Sequence, residues 1–372
     1  MAEIGVGLIG YGGIGRVHAL CYRMIPLCYP ALALQPRIAA VQVATPGSAE
    51  RVGRELPEVR ATTSLADLLA DPQVSLIDCC APTADHAAIV RAALDAGKPV
   101  FCEKPLAVEP REAAALAALA VERGLVCGVN YHFRNIPALQ HARRWIEQGS
   151  LGDPVGFHLR YYRASNLKRD RAVTWRFQGA GSGVLLDLGS HLVDLITFLL
   201  GPAHTVSAQT RTLIGQRPTA GGGTAQITSD DAAWLSLELT NGAIGTAHAS
   251  KVAAGTADDL RVEAYGTRGT LIFDAAHPNE LQIADDQGRR IISTLSASAP
   301  TPTYPTAEVP TATLLWHLST VAGYLQSLGG QPGPLASFGQ AAYVDAVLEA
   351  AQRSAASGVA HAIPADVREL LV

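Results

Sequence analysis

The first 130 residues alternate short apolar runs with stretches whose apolar positions have helical spacing. Apolar runs bounded by glycine, proline or polar residues are typical of buried strands, and they fall at 4–9, 37–44, 74–80, 99–102 and 125–129. Helical patterns begin at about residue 14 and recur at 49–55, 64–70, 85–96 and 110–123. This order predicts an α/β fold with a doubly wound parallel sheet, because parallel strands need crossover connections. The apolar, proline-bounded stretch 26–36 is interpreted as a helix extension or a surface insertion.

Beyond about residue 135 the pattern changes to a few helices and many short alternating segments. Helices are predicted at 138–148, 183–200, 312–327 and 338–357, and strands at 155–163, 206–214, 232–239, 243–250, 259–265, 270–274 and 289–295. Turns such as Asn241-Gly242 favour antiparallel pairing. We therefore expect two domains, a Rossmann-type domain at 1–130 and a C-terminal α+β domain at 131–372 with a large, open, mostly antiparallel sheet. A glycine run at 221–223 is expected in a mobile loop between two of these strands.

Composition and charge exclude several classes of protein but do not indicate which reaction, if any, the protein catalyses. The 372 residues carry a formal net charge of −4, which argues against nucleic acid as a partner, and 48% of them are hydrophobic, which argues against disorder. The apolar runs are too short to span a bilayer, and the amino terminus lacks the features of a targeting segment. The six cysteines show no zinc-type spacing and are expected to be reduced core thiols. A soluble cytoplasmic protein without membrane contact or bound metal is the expectation.

A glycine-rich turn follows the first predicted strand and opens the first helix. Its residues are Gly10, Tyr11, Gly12, Gly13, Ile14 and Gly15, a G-x-G-x-x-G pattern. The first glycine permits a tight turn, the second lets a pyrophosphate approach the backbone, and the third lets helix and strand pack closely. Strand, turn, helix and position agree, so the turn predicts dinucleotide binding rather than a plain glycine turn.

The end of the second strand bears on the choice of dinucleotide. An NAD site usually has a carboxylate there for the adenosine ribose, whereas this chain has Thr45. Ser48 and Arg51 follow and could bind a 2′-phosphate, although Arg51 could equally be a solvated helix residue. The cofactor is therefore NAD or NADP.

Lysine is scarce, and one of the four lysines follows a strand that should point at the cofactor. Glu103-Lys104-Pro105 comes directly after the strand at 99–102. Ligands of doubly wound sheets bind beyond the carboxyl ends of the strands, so Lys104 is placed to donate a hydrogen bond to a substrate oxygen. A surface lysine at a strand end is the alternative.

A polar stripe runs along the apolar helix at 183–200. Asp187, His191 and Asp194 are spaced i, i+4 and i+7, which puts them on one helical face. Buried ionisable groups cost free energy unless they are paired, so the stripe indicates a site in which Asp187 bonds His191 or a substrate hydroxyl and His191 acts as a base. A buried structural Asp–His pair would show the same pattern.

These motifs together resemble the Gfo/Idh/MocA oxidoreductase family, which includes glucose–fructose oxidoreductases and inositol dehydrogenases. The matching segments stand in the family's order: the glycine turn at 10–15, Ala81-Pro82-Thr83-Ala84-Asp85-His86, Glu103-Lys104-Pro105, Trp175-Arg176-Phe177, and Gly181-Ser182-Gly183 running on to Asp187 and His191. The predicted antiparallel sheet fits the family's second domain.

The resemblance implies a hydride transfer between a secondary alcohol of a sugar, polyol or inositol and nicotinamide. Lys104 and Asp187 would orient the substrate hydroxyl and His191 would remove its proton. Cofactor contacts beyond the glycine turn and Thr45 would come from Ala81, Pro82, Thr83, His86, Glu103, Lys104, Trp175 and Arg176. His86 could instead be an ordinary polar residue and Trp175 a packing residue. The family often has a cis peptide before the proline of the lysine motif, which here is Lys104–Pro105.

The remaining expectations concern substrate and assembly. Tyr162, Arg163 and Trp175 are predicted to join Lys104, Asp187 and His191 around the substrate, although a solvated loop or a subunit contact is the favoured explanation of the basic residues here. An NAD-dependent glycosidase and a non-catalytic cofactor-sensing regulator are the alternative functions. An open sheet in the second domain predicts a homodimer or homotetramer formed through that sheet.

Overall fold

A computed structural model describes residues 1–174, 176–179, 181–294 and 312–371 of the chain. The described residues form two compact units. The first comprises Met1–Asn135 and the described part of Pro300–Ala342, and the second comprises the described parts of Ile136–Ala299 and Tyr343–Val372.

Eighteen strands and ten α-helices are present in the described residues. The strands are β1 (Ala2–Ile9), β2 (Leu34–Gln42), β3 (Arg60–Thr62), β4 (Leu76–Cys79), β5 (Val100–Cys102), β6 (Gly128–Val129), β7 (Pro154–Tyr162), β8 (Ala203–Arg211), β9 (Gln216–Pro218), β10 (Thr224–Gln226), β11 (Ala232–Leu239), β12 (Ile244–Ser250), β13 (Asp259–Gly266), β14 (Thr270–Asp274), β15 (Glu280–Asp285), β16 (Gly288–Ser293), β17 (Ala336–Ser337) and β18 (His361–Ala362). The helices are α1 (Gly13–Cys28), α2 (Pro46–Glu55), α3 (Leu65–Leu69), α4 (Thr83–Asp95), α5 (Pro110–Glu122), α6 (Pro137–Glu147), α7 (Ser190–Leu200), α8 (Ala312–Leu328), α9 (Phe338–Ser357) and α10 (Ala365–Glu369).

The first unit contains a seven-stranded sheet in the order β17-β6-β5-β4-β1-β2-β3, in which β17 alone is antiparallel to its neighbour. All four residues of β4 are buried, as expected of a central parallel strand covered on both faces. This sheet confirms the predicted Rossmann-type fold. It also brings the carboxyl ends of β1, β4 and β5 to one edge, which is where the glycine turn and the lysine motif follow their strands.

Helix α8 returns to the first unit from the far end of the chain, which the sequence-based boundary at 130 did not anticipate. It packs against α1, and its residues Leu318, Val321 and Leu325 share the hydrophobic core of β1 and β2. The stretch 26–36 lies here: α1 continues through Pro26 to Cys28, and a short connection leads to β2 at Leu34. Residues 26–28 thus extend α1, and Cys28 joins the hydrophobic core that α8 shares, whereas Leu27 is 65% exposed.

The second unit is built on a nine-stranded sheet in the order β16-β15-β14-β13-β7-β12-β11-β8-β18. Only β7 and β12 pair in parallel, which confirms the predicted, mostly antiparallel sheet. Burial alternates along β7, where Phe157, Leu159 and Tyr161 face the core and the intervening residues face the other way. Helix α9 is tied to this unit by the Tyr343 hydroxyl, which accepts a hydrogen bond from the backbone N–H of Ala203.

Several short elements of the two units differ from the sequence prediction. The glycine run 221–223 is the turn of a β9–β10 hairpin rather than part of a loop without strands. Strands β15, β17 and β18 are also additional; β17 and β18 have two residues each, too few for an alternating pattern to mark them. All six cysteines are free thiols in buried positions, as expected. No helix in the described part of the chain combines the length and the apolar character that a bilayer crossing requires.

Candidate functional site

The glycine turn in the first unit has the geometry of a phosphate cradle. Gly10 has φ +87°, which only glycine adopts readily, and α1 begins three residues later at Gly13. A Cβ on Gly12 or Gly13 would meet no atom within 4 Å, so the chain leaves room beside the first N–H groups of α1. A Cβ on Gly15 would lie 2.1 Å from the Gly10 carbonyl oxygen. Open space at the second glycine and close approach at the third fit a bound dinucleotide pyrophosphate.

The end of β2 carries a hydroxyl rather than a carboxylate. Thr45 is exposed and caps α2, since its Oγ1 accepts a hydrogen bond from the Ser48 backbone N–H at 3.2 Å. Arg51 is not simply solvated, because its Nη2 donates to the Tyr11 carbonyl oxygen at 2.9 Å. This bond ties α2 to the glycine turn. Glu55 makes a second contact between α2 and the glycine turn, because its Oε2 accepts a hydrogen bond from the Tyr11 hydroxyl. This contact was not predicted from the sequence.

The segment after β4 places its histidine inside the protein. Pro82 precedes α4, which begins at Thr83, and His86 in the first turns is only 1% exposed. Its Nδ1 lies 2.8 Å from the Pro105 carbonyl oxygen and its Nε2 lies 3.0 Å from the Ala81 carbonyl oxygen. Both ring nitrogens therefore face backbone oxygens, and burial lowers the pKa of His86. His86 thus connects the loop after β4 to the lysine motif, and its contact with the cofactor stays a prediction.

The lysine motif follows β5 directly. Glu103 is buried, Lys104 is half-buried, and the Lys104–Pro105 peptide is cis, as the family resemblance led us to expect. The Lys104 backbone N–H donates to Glu103 Oε2 at 3.3 Å. Lys104 thus lies at the same edge of the sheet as the glycine turn.

Three sets of buried donor side chains lie close enough together to be tested as metal sites: His18, Glu103 and His317; His18, Asp78 and Cys80; and Cys79, His86 and Cys102. In the first set the Asn130 Nδ2 lies 2.5 Å from Glu103 Oε1 and already fills the space among the donors. In the second, His18 and Asp78 bond each other directly. In the third, both nitrogens of His86 face carbonyl oxygens. We assign no metal to these groups.

The polar stripe of the second unit does not lie on one regular α-helix. Leu185–Gly189 forms a π-helical turn, and α7 starts at Ser190. The i, i+4, i+7 spacing therefore crosses a wider turn, so that Asp187 and His191 do not have the relation of neighbours on a straight α-helix. Asp187 is partly accessible and His191 is buried at 3% exposure. The Gly183 backbone, at φ +106°, allows Asp230 to approach and accept a hydrogen bond from the Leu185 N–H at 2.7 Å.

The structure adds Lys251, a residue that sequence reasoning missed. Its Nζ donates to Asp187 Oδ2, and the Lys251 side chain is only 11% exposed. Lys251 follows β12, 64 residues after Asp187, so no local spacing could show the pair. The scarcity of lysine was the only available signal. The Asp187 carboxylate is thus held by a cation of its own unit.

The two tyrosines of β7 are separated by the sheet. Tyr161 lies on the core face, where its ring is edge-on to His191 with centroids 6.1 Å apart, and its hydroxyl donates to Asp258 at 2.9 Å. Burial, reinforced by the charge of Asp258, raises the pKa of Tyr161. Tyr162, the residue predicted to contact substrate, lies on the opposite face, 3.4 Å from the His248 ring nitrogen. Because side chains alternate along a strand, only Tyr161 of the two lies on the face of His191, and the substrate contact of Tyr162 stays a prediction.

The remaining predicted substrate residues are spread over the loop after β7. Arg163 Nε lies 3.2 Å from Asp258 Oδ1, so Asp258 joins Arg163 to Tyr161. Trp175 lies outside the described residues. Arg176 is exposed and lines a small polar cavity together with Arg171, Asp230 and Lys251. The structure therefore brings Asp187, Lys251 and Arg176 to one region of the second unit.

Comparison with known proteins covers both units. The family of oxidoreductases with an NAD-binding Rossmann fold, Gfo/Idh/MocA, matches residues 4–131, and the Gfo/Idh/MocA C-terminal domain matches residues 139–272. A levoglucosan dehydrogenase from Pseudarthrobacter phenanthrenivorans is 32% identical over 308 residues, which are 78% of this chain and 79% of the relative.

Two further relatives agree. A scyllo-inositol 2-dehydrogenase (NAD+) from Bacillus subtilis is 27% identical over 77% of this chain and 78% of its own. The solved structure of a levoglucosan dehydrogenase in complex with NADH and levoglucosan superimposes with a TM-score of 0.91 at 27% identity, covering 98% of this chain and 100% of that one. Both the sequence and the fold therefore lead to one assignment: the chain is a member of the Gfo/Idh/MocA family of NAD-binding oxidoreductases.

Proposed function

We propose that this oxidoreductase transfers a hydride between a secondary alcohol of a sugar, polyol or inositol and NAD. One observation carries the proposal: the glycine turn follows β1 and Lys104 follows β5, so an ammonium group lies at the same sheet edge as the phosphate cradle. The relatives support the substrate class, since one is named for levoglucosan and another for scyllo-inositol.

The proposed chemistry divides between the two units. Bound NAD would supply the hydride acceptor. Lys104 donates a hydrogen bond to the substrate oxygen, and Asp187 accepts one from a substrate hydroxyl. His191 takes the hydroxyl proton, a role that suits an imidazole near neutral pH. We further propose that Tyr161, Arg163 and Asp258 form one bonded group that keeps the Tyr161 ring in place beside His191.

The function is tested by supplying sugars, inositols and sugar phosphates to the purified protein with NAD and with NADP while the absorbance of the reduced cofactor is followed. Reduction of NAD by at least one cyclic polyol is expected. A glycosidase would release an aglycone without net cofactor reduction, and a regulator would bind NAD without turnover. Either result would reject the proposed function.

Lys251→Met is expected to lower kcat about 10- to 100-fold, since Asp187 loses the ammonium group that orients its carboxylate. NAD affinity should stay within about twofold of wild type, because the glycine turn belongs to the other unit. Lys251→Arg keeps a cationic donor and should recover part of the loss. Steady-state kinetics with saturating NAD measure both effects, and an unchanged kcat in Lys251→Met would show that Asp187 needs no such partner.

We also propose that a second copy of the chain covers the face of the nine-stranded sheet that bears Tyr162 and His248. Trp234 and Ile244 on this face are 41% and 61% exposed, which is unusual for large apolar side chains on neighbouring strands. Trp234→Arg is expected to shift the protein toward monomer in light scattering at micromolar concentration. Val121→Arg, at an 82% exposed site on α5, is the matched control and should leave the mass unchanged. A monomeric wild type would contradict the proposal.

A further inference from the structure

A cluster of buried polar side chains lies behind the lysine motif, and the proposed chemistry does not use it. His18 on α1 and Asp78 on β4 are fully buried, as is Asn130, which follows β6. Neighbouring parallel strands bring these groups together: the Glu103 N–H bonds the Cys79 carbonyl oxygen, and the Asn130 N–H bonds the Cys102 carbonyl oxygen. His317 on α8 closes the cluster.

The hydrogen atoms in this cluster can be counted. The amide Nδ2 of Asn130 lies 2.5 Å from Glu103 Oε1, 2.8 Å from His317 Nδ1 and 3.0 Å from His18 Nε2. An amide nitrogen has two hydrogens, so it cannot serve three acceptors. Turning the amide over would put its oxygen 2.5 Å from a carboxylate oxygen, which is repulsive. One of the three neighbours must therefore be a donor itself.

His18 is that donor. Its Nδ1 lies 2.8 Å from Asp78 Oδ2, and its Nε2 lies 3.2 Å from Glu103 Oε1. Both ring nitrogens face carboxylate oxygens, so an imidazolium can donate in both directions. Asn130 then donates one amide hydrogen to Glu103 and the other to His317, so each of its two hydrogens has one acceptor.

The electrostatics agree with this assignment. Burial by itself lowers the pKa of His18, but the charge of Asp78 raises it well above its usual value. Burial raises the pKa of Glu103, but the hydrogen bond and charge of His18, together with the charge of Lys104, hold it well below its usual range. Burial and the charge of His18 lower the pKa of His317 to about 3, so His317 is neutral and its Nδ1 can accept.

Among the described residues that influence the pKa values of His18, Glu103 and His317, no further charged group balances the cluster. The groups facing the cluster from its own and neighbouring elements include the Phe101 ring stacked 5.8 Å from His18, the Cys80 thiol and the Lys104 ammonium. The others are the Cys21 and Tyr22 side chains of α1, the Tyr324 side chain of α8 and the His132 ring stacked on His317. Two carboxylates, Asp78 and Glu103, are thus balanced by two cations, His18 and Lys104. Removing the charge of His18 would leave both carboxylates to a single lysine.

We propose that His18 is an imidazolium at neutral pH that bonds Asp78 and Glu103 and thereby fixes the Glu103 carboxylate against Lys104, which makes His18 a positioning residue for that lysine. The link to Lys104 is the bond from its backbone N–H to Glu103 Oε2 and the attraction between the Glu103 and Lys104 charges. The inference rests on the proposed function, in which Lys104 meets the substrate.

Charge rescue tests the inference. His18→Gln keeps an amide donor but removes the charge, and it is expected to lower kcat about 10- to 100-fold while the Kd for NAD changes less than about threefold. The double variant His18→Gln/Asp78→Asn removes one buried carboxylate along with the cation, and it should recover at least about tenfold of the lost kcat. If His18 served only to pack, the second substitution would add damage, and a double variant as slow as the single one would overturn the proposal.

A second measurement needs no turnover. NMR of the wild-type protein carrying ring-labelled histidine reports the protonation of each imidazole. One buried histidine should have both ring nitrogens protonated at pH 7.5, and it should be the signal that His18→Gln removes. A His18 that is neutral at pH 7.5 would overturn the inference. Failure of the proposed function is separate, because it would appear as unchanged turnover in Lys104 variants whatever the charge of His18.

Discussion

Lys104→Met and His191→Asn are each expected to lower kcat/KM about 10³-fold with the polyol that the wild type oxidises best. The lysine variant removes the proposed donor to the substrate oxygen, and the histidine variant removes the proposed base. Neither change should alter the affinity for NAD at the glycine turn by more than about threefold, so titration of cofactor binding separates loss of chemistry from loss of binding.

Matched controls exist for both substitutions. Lys98 precedes β5 at the end of the strand opposite to Lys104, so Lys98→Met removes a lysine near the same strand without touching the cofactor edge. His277 has a side chain that is 66% exposed, and His277→Asn serves for the histidine. Both controls should keep wild-type turnover. Full activity in Lys104→Met and His191→Asn would show that the catalytic assignment is wrong.

Gly15→Ala is expected to destabilise the first unit by about 3 kcal/mol, which corresponds to a fall in Tm of roughly 6–12 °C. The added Cβ would lie 2.1 Å from the Gly10 carbonyl oxygen and 3.0 Å from its carbon, and both are backbone atoms that cannot rotate away. Helix α1 would have to move from β1, which would also open the phosphate cradle and weaken NAD binding.

The control is in the same turn. A Cβ on Gly13 would meet nothing within 4 Å, and Gly13 is the first residue of α1, so Gly13→Ala should leave the Tm unchanged or slightly higher. Thermal unfolding without NAD measures both variants, so the cofactor cannot mask the difference. A Tm for Gly15→Ala within about 2 °C of wild type would show that helix and strand do not approach closely here.

The parts of the fold that were predictable are those in which local pattern and tertiary environment agree. Buried parallel strands need apolar runs, and a phosphate turn needs glycine at set positions, so β1, β4 and the turn at 10–15 could be identified directly. Strands β17 and β18 could not, because two residues give no period to detect. The return of α8 to the first unit was also hidden, since an amphipathic pattern shows that a helix has a buried face but not what buries it.

The candidate site shows the same division. Lys104 was identifiable because a lysine directly after a strand of a doubly wound sheet lies at the ligand edge. His86 was assigned to the cofactor, but its two ring nitrogens face the Ala81 and Pro105 carbonyl oxygens, which depend on how two loops approach each other. Alternation along β7 requires Tyr161 and Tyr162 to face opposite ways, but only packing against His191 decided which one faces the core. Lys251 reaches Asp187 from 64 residues away.

The sequence by itself determined the two folds, the family, the glycine turn and the position of Lys104 directly after a strand of the parallel sheet. These properties are local, because they depend on residue types at short, fixed separations along the chain. Only the tertiary structure decided that His18 stands between Asp78 and Glu103, that Lys251 pairs with Asp187 and that α8 packs against α1. Charge pairs and buried faces depend on distances between elements far apart in the sequence, and these distances are set by the packing of the whole unit.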